Sequence, residues 1–177
     1  SDVVVCTTGV ASRELFEYRE ELKQGHEKDF LTVGGMGHAN QIALGIALQK
    51  PNQRVLCFDG DGAVLMHMGS IAVSGNIKCD NFKHVVFNNG AHDSVGGQPT
   101  VGFDTDFSSI AKISGYDLVL QADTEEKLVG CIEELMAFKG KVFLEIKVKK
   151  GFRKNLGRPS TTPKENKQIL MKFIMEN

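Results

Sequence analysis

Tryptophan is absent from the 177 residues, tyrosine occurs twice, and neither sign of charge dominates: 21 lysines and arginines face 22 acids. No long basic run lies outside the last strand and tail. The chain therefore offers neither a stacking platform nor a phosphate-backbone footprint, and nucleic acid is not expected as a partner. No apolar stretch approaches the roughly 18 residues that span a bilayer. No signal peptide precedes the opening segment, so the expected location is the cytoplasm. Cysteine is sparse and scattered, at Cys6, Cys57, Cys79 and Cys131, with no CxxC pair. Disulfides and structural zinc are accordingly not expected, and the cysteines within apolar runs read as small packed hydrophobes. Repeats and low-complexity segments are also missing.

What is present is an alternation of short apolar runs with helical patterns. Strands are expected over 3–6, 30–33, 54–59, 84–88, 118–121 and 142–148, and helices over 12–23, 39–49, 64–76, 107–114 and 124–138. Ser12 with Glu14 is read as opening the first helix, and Asp123 with Glu126 as the capping box of the fifth. Thr162, Pro163 and Glu165 are read as the start of a last helix ending near Met175. This order predicts an α/β fold, a three-layer α/β/α arrangement with a mainly parallel six-stranded sheet. One domain is expected, its body over 1–150, with a basic, turn-rich connector and C-terminal helix over 151–177.

In such sheets ligands bind beyond the carboxyl ends of the strands. Four loops there are unusual: CTTGVASRE, VGGMGHANQ, FDGDGAV and FNNGAHDSVGGQPT. In the third, glycines let backbone N–H groups approach an oxyanion, and the helix that follows adds positive potential. A carboxylate at that place repels phosphate unless a cation lies between them. Asp61 therefore points to a metal. The next strand ends in Asn88 and Asn89, 25 residues after Ala63 begins the intervening segment. One crossover brings the two strand ends together, where a carboxylate and an amide oxygen can share a cation. Hard oxygen ligands completed by diphosphate and water suit Mg²⁺.

GDG followed after about 25 residues by NN resembles the diphosphate-binding motif of thiamine diphosphate enzymes, and TVGGMGHANQIALGIAL resembles their aminopyrimidine-holding segment. Together with TTG and NNGAHDSVGGQPT, these motifs resemble the C-terminal domain of 2-keto acid decarboxylases of the phosphonopyruvate type, over roughly 3–148. The resemblance implies a thiamine diphosphate-binding fold and a site built as follows. Asp61, Asn89 and the Ala91 carbonyl would ligate Mg²⁺. The Asp61 to Asn89 interval of 28 is one longer than the family's usual pair, which keeps Asn88 open as the ligand. Gly60, Gly62 and Ala63 would meet the diphosphate, as would Thr8 with Thr7. Gly34 and Gly35 would flank Met36, which would wedge under the bent cofactor while the Gly34 carbonyl accepts from the 4′-amino group. His92 is the preferred catalytic histidine, ahead of His38. His26, His67 and His84 read as structural or surface residues, and Arg13 as a surface arginine within reach of a substrate anion.

The resemblance also implies a partner. In the family a glutamate from a separate pyrimidine-binding domain on a neighbouring chain activates the cofactor, and no such domain is in this sequence. The chain would be the diphosphate-binding half of an oligomeric decarboxylase acting on a small 2-keto acid, with a sulfopyruvate decarboxylase beta subunit as the alternative. A different class also fits one motif. VLCFDGDGAV resembles the opening of haloacid dehalogenase-type phosphatases, with Asp59 as nucleophile and Asp61 as general acid on Mg²⁺. A dinucleotide fingerprint lacks its third glycine, Leu65 and Asn40 standing at the two candidate places.

Overall fold

The computed structural model describes residues 2–176. In chain order its elements are β1 (Val3–Cys6), α1 (Val10–Glu21), β2 (Asp29–Leu31), α2 (Ala39–Gln49), β3 (Val55–Gly60), α3 (Asp61–Met66), α4 (Gly69–Asn76), β4 (Phe82–Asn88), β5 (Ala91–His92), β6 (Gln98–Pro99), α5 (Phe107–Ser114), β7 (Leu118–Ala122), α6 (Glu125–Ala137), β8 (Val142–Lys147) and α7 (Pro163–Glu176). Six strands form one parallel sheet in the order β2-β1-β3-β4-β8-β7, and β5 and β6 pair as a small antiparallel hairpin. The α/β class and the six-stranded parallel sheet agree with the sequence.

Alternate residues of each central strand feed two apolar layers, as a pleat covered on both faces requires. Val3, Val5, Val55, Cys57, Phe82, Val86 and Phe143 pack with residues of α2, α4, α5 and α7. Val4, Leu56, Val85 and Leu144 face the other way, toward Leu135 and Leu128 of α6 and Leu15 of α1. The chain runs from β1 outward to β2, then back past β1 to β3. That reversal makes the gap between the ends of β1 and β3 a topological switch point, the place where such sheets open a crevice.

Several boundaries differ from the sequence reading. Helix α1 begins at Val10, and Ser12 lies buried inside it, donating its hydroxyl to the Thr7 carbonyl at 2.6 Å. The expected helix over 64–76 is two helices, because α3 starts directly at the end of β3 and breaks at His67, whose backbone leaves the helical region. The cap of α6 is Thr124, which accepts from the Lys127 N–H at 3.3 Å; Asp123 instead pairs with the Lys127 ammonium at 2.8 Å. The Thr162–Glu165 box at α7 forms as read, with the Glu165 carboxylate accepting from Thr162 N–H at 2.8 Å.

Candidate active site

Loops leaving β1, β3 and β4 line one cavity of about 840 Å³ at the switch point, together with Met36 from the loop before α2. Asp61 begins α3 at the strand end and is 1% exposed. One carboxylate oxygen receives the Thr100 hydroxyl in a short hydrogen bond, and the other lies 3.5 Å from the Asn89 N–H. Asn89 stands on the cavity wall. Its Oδ1 accepts from the Ala91 N–H at 3.0 Å and its Nδ2 donates to Asp93 at 2.6 Å, so the 89–93 loop is folded around this side chain. Asn88 is engaged elsewhere. Fully buried, it donates to Glu145 at 2.7 Å and to the Gly102 carbonyl at 2.8 Å, and accepts from Gly90 N–H at 3.2 Å.

Thr8, Gly60, Gly62, Ala63, Ala91 and His92 also line the cavity. The His92 ring lies directly over Gly62, where any β-carbon would collide with its Nδ1. Glycine there lets the histidine close on the turn. Gly37, with φ +85°, leaves no room for a β-carbon beside the Ala63 carbonyl and the His67 ring, and so lets the Met36 loop close on α3. Met36 is half-buried on the wall; Gly34 and Gly35 stand outside the lining. The Thr7 hydroxyl is buried at the same wall and has no hydrogen-bond partner among the described residues.

Other candidates lie apart. His38 stacks on His67, ring centroids 4.4 Å apart, outside the cavity lining. Arg13 donates to the carbonyls of Leu156 and Gly157, so it holds the connector over α1 and is not free for a substrate. Asp59, by contrast, is on the cavity wall, but it is 1% exposed and its carboxylate turns to His84, 3.4 Å away, so it has the wrong setting for a phosphatase nucleophile. That alternative is set aside. Thr100, Asp93, Glu145 and Lys149 were not singled out from the sequence. Thr100 meets Asp61 from 39 residues away, a separation at which no local pattern signals contact.

These residues fit a metal-bound diphosphate. Carboxylate, amide and backbone carbonyl oxygens from Asp61, Asn89 and Ala91 are the hard donors that Mg²⁺ prefers, and the orphaned Thr7 hydroxyl offers a buried donor for an anion oxygen.

A doubly covered parallel sheet with glycine-rich turns gathered at its switch point defines a cofactor-binding α/β domain. The family model described as the thiamine pyrophosphate enzyme C-terminal TPP binding domain matches residues 7–146, and the chain belongs to this family. It is 36% identical over 171 residues to a phosphonopyruvate decarboxylase of Streptomyces viridochromogenes, covering 97% of this chain and 42% of that protein. It is 32% identical over 173 residues to a sulfopyruvate decarboxylase subunit beta of Methanococcus maripaludis, covering 98% of this chain and 89% of that subunit. The chain thus spans about two fifths of the phosphonopyruvate decarboxylases it matches. In fold it is similar to a putative thiamin diphosphate-dependent enzyme from Mycobacterium smegmatis, with a TM-score of 0.67 at 22% identity over 85% of this chain and 29% of that one.

Proposed function

We propose that the chain is the diphosphate- and Mg²⁺-binding half of a thiamine diphosphate-dependent decarboxylase that converts phosphonopyruvate to phosphonoacetaldehyde and CO2. The observation that carries this reading is the meeting of Asp61 and Asn89 at adjacent strand ends, inside a domain of this family. Asp61, Asn89 and the Ala91 carbonyl hold the metal. Thr7, Thr8 and the backbone N–H groups of Gly62 and Ala63 take the diphosphate, helped by the start of α3. Met36 and the Gly34 carbonyl hold the aminopyrimidine, with Gly35 shaping their loop. Bound there, thiamine diphosphate supplies the carbon nucleophile and the electron sink for loss of CO2. His92 stands at the metal turn, where an imidazole can move a proton near neutral pH.

Lys149 supports a substrate with a second anionic end. Among the described residues it is the one lysine or arginine on the cavity wall. A sulfonate would serve as well as a phosphonate, and the 89% coverage of a sulfopyruvate decarboxylase beta subunit favours that as the second reading. Both readings need a pyrimidine-binding partner and an oligomer. Val33, Val95, Val101 and Phe103 in loops and Met66 at the end of α3, all more than half exposed, suit a face that a partner covers. Four free cysteines suit the reducing cytoplasm, and no helix among the described residues is long and apolar enough to cross a membrane.

The test combines the chain with a pyrimidine-binding half and follows CO2 release from phosphonopyruvate and sulfopyruvate side by side. Calorimetry on the same assembly is expected to show thiamine diphosphate binding that requires Mg²⁺ and is abolished by Asp61→Ala. Equal affinity in EDTA would refute the metal assignment.

A further inference from the structure

Behind the metal turn, on the α2 side of the sheet, lies a polar group that the chemistry above does not use. Asn40, in the first turn of α2, is wholly buried. Its Oδ1 accepts from the Ser74 hydroxyl at 2.5 Å and from Gln41 Nε2 at 2.8 Å, which fixes the amide so that Nδ2 faces His84 Nδ1 at 3.0 Å. His84 Nδ1 is therefore an acceptor, and its ring proton sits on Nε2. That nitrogen lies 3.4 Å from Asp59 Oδ2, within ion-pair distance but outside hydrogen-bond geometry, and among the described residues neither His84 Nε2 nor Asp59 Oδ1 has a hydrogen-bond partner, so the two orphaned groups face each other. The Tyr116 hydroxyl reaches the same His84 Nδ1 at 3.3 Å, Phe143 meets the imidazole edge to face at 5.2 Å, and Phe82 lies alongside.

Cys57 completes a cluster in which a thiol, a carboxylate and an imidazole offer ligand atoms within 4.8 Å of one another. A transition metal there is opposed by the tautomer, since Nε2, the nitrogen facing the cluster, already carries the proton. Burial also pushes the Cys57 thiol well above its ordinary range, away from the thiolate a metal needs. The cluster is better explained by what it joins. Asp59 immediately precedes Gly60 and Asp61; Asn40 lies four residues after Met36, in the first turn of the helix that the Met36 loop enters. We infer that Asn40, His84 and Asp59 form a positioning relay through the core that ties the metal-binding turn to the pyrimidine-holding loop, so that the two halves of the cofactor site keep one spacing. In an apolar layer a half-made polar chain is costly, and this makes the spacing specific.

This inference rests on the proposed Mg²⁺-thiamine diphosphate site, and its test separates the two. In the chain assembled with its pyrimidine-binding half, Mg²⁺ is titrated at saturating thiamine diphosphate. His84→Phe and Asn40→Leu, which break the relay at different points, are expected to weaken Mg²⁺ binding about 10-fold, the lower end of the effect of outer-shell changes. His84→Gln, which keeps an N–H toward Asp59, is expected to recover affinity to within about 3-fold on the same scale. A purely structural histidine would lower thermal stability and leave the Mg²⁺ titration unmoved. Wild-type Mg²⁺ affinity in both breaking variants, or a glutamine variant as weak as the phenylalanine one, overturns the relay. If His84→Phe does not fold, Asn40→Leu against His84→Gln gives the same comparison. Stoichiometric transition metal in the purified assembly, lost in Cys57→Ala, also overturns it. A wild-type assembly that takes up no Mg²⁺ with the cofactor overturns the site itself, and the relay's role with it.

Discussion

At the scale of single residues, the site is a set of short side chains whose neighbours are already chosen. Met36 reaches the cavity on a loop pinned by Gly37 against α3. If it bends the cofactor, Met36→Ala in the assembled enzyme lowers kcat while Mg²⁺-dependent cofactor binding is largely kept; steady-state kinetics beside calorimetry check this. Lys149 gives a second prediction. Lys149→Met is expected to raise KM for an anion-bearing 2-keto acid about 10-fold at little change in kcat, and Lys149→Arg to restore much of it, as loss of a ground-state ion contact does. Unchanged KM with phosphonopyruvate and sulfopyruvate alike would remove Lys149 from the substrate site. At the opposite end of the sheet, Lys83 is buried, donates to the Phe138 and Gly140 carbonyls, and has its pKa lowered to about 8, chiefly by desolvation. Arg54 adds to the lowering, while Asp117, Cys79 and Asp80 oppose it. Between that value and the ordinary lysine range the unfolded chain binds the extra proton, so this group adds stability as pH rises. Urea unfolding of the wild type and of Lys83→Met is expected to diverge in the wild type's favour by about 2 kcal/mol from pH 8 to pH 10.

At the scale of elements, the short edge strand β2 depends on a helix far away in sequence. Asn166 of α7 accepts from the Leu31 N–H and donates to the Asp29 carbonyl, both at 2.9 Å. One amide thus replaces a neighbouring strand along part of an open edge, which would otherwise leave buried backbone groups unpaired. Asn166→Leu is expected to destabilise the chain by about 2–4 kcal/mol, read as a lower urea midpoint at unchanged slope. A loss below about 0.5 kcal/mol would mean that water or a shifted helix satisfies the edge. The split between α3 and α4 has a functional sense as well. A single helix over 64–76 would leave the Asp61 turn as a loop; instead α3 begins at Asp61 itself, so its first N–H groups sit at the cavity.

For the whole molecule, the open cavity and its apolar rim govern behaviour in solution. Its apolar lining, Phe58, Phe87, Leu15 and Leu128, continues from the Asp61 turn toward α1 and α6. Tyr18 and Val148 on its wall are themselves exposed. Without a covering partner the chain is expected to self-associate, to bind the cofactor weakly, and to release no CO2 from any 2-keto acid at a useful rate. Sedimentation of the isolated chain, followed by CO2 assay before and after adding the pyrimidine-binding half, checks this. Full activity of the 177-residue chain by itself would show that the proposed division of labour is wrong.

The sequence alone determined the six strands of the parallel sheet and the family motifs, because these are local; the β5–β6 hairpin was not among them. Apolar runs of strand length, glycines at turns, and GDG and NN at strand ends are read along the chain, and the bounds of β1, α2 and α5 follow from them unchanged. Local reading failed where an element's start is set by what lies across the fold. Ser12 resembles a cap in sequence, but its hydroxyl returns to the end of β1; Asp123 resembles one too, but Thr124 has the extended backbone a cap requires. Only the tertiary structure decided where the two asparagines face. Asn88 is drawn inward by Glu145, 57 residues away, which leaves Asn89 on the cavity wall beside Asp61. The same holds for Thr100 on Asp61 and for the polar chain from Asn40 to Asp59. Such contacts join residues tens of positions apart, and their energy depends on burial that exists only once the sheet has closed over them.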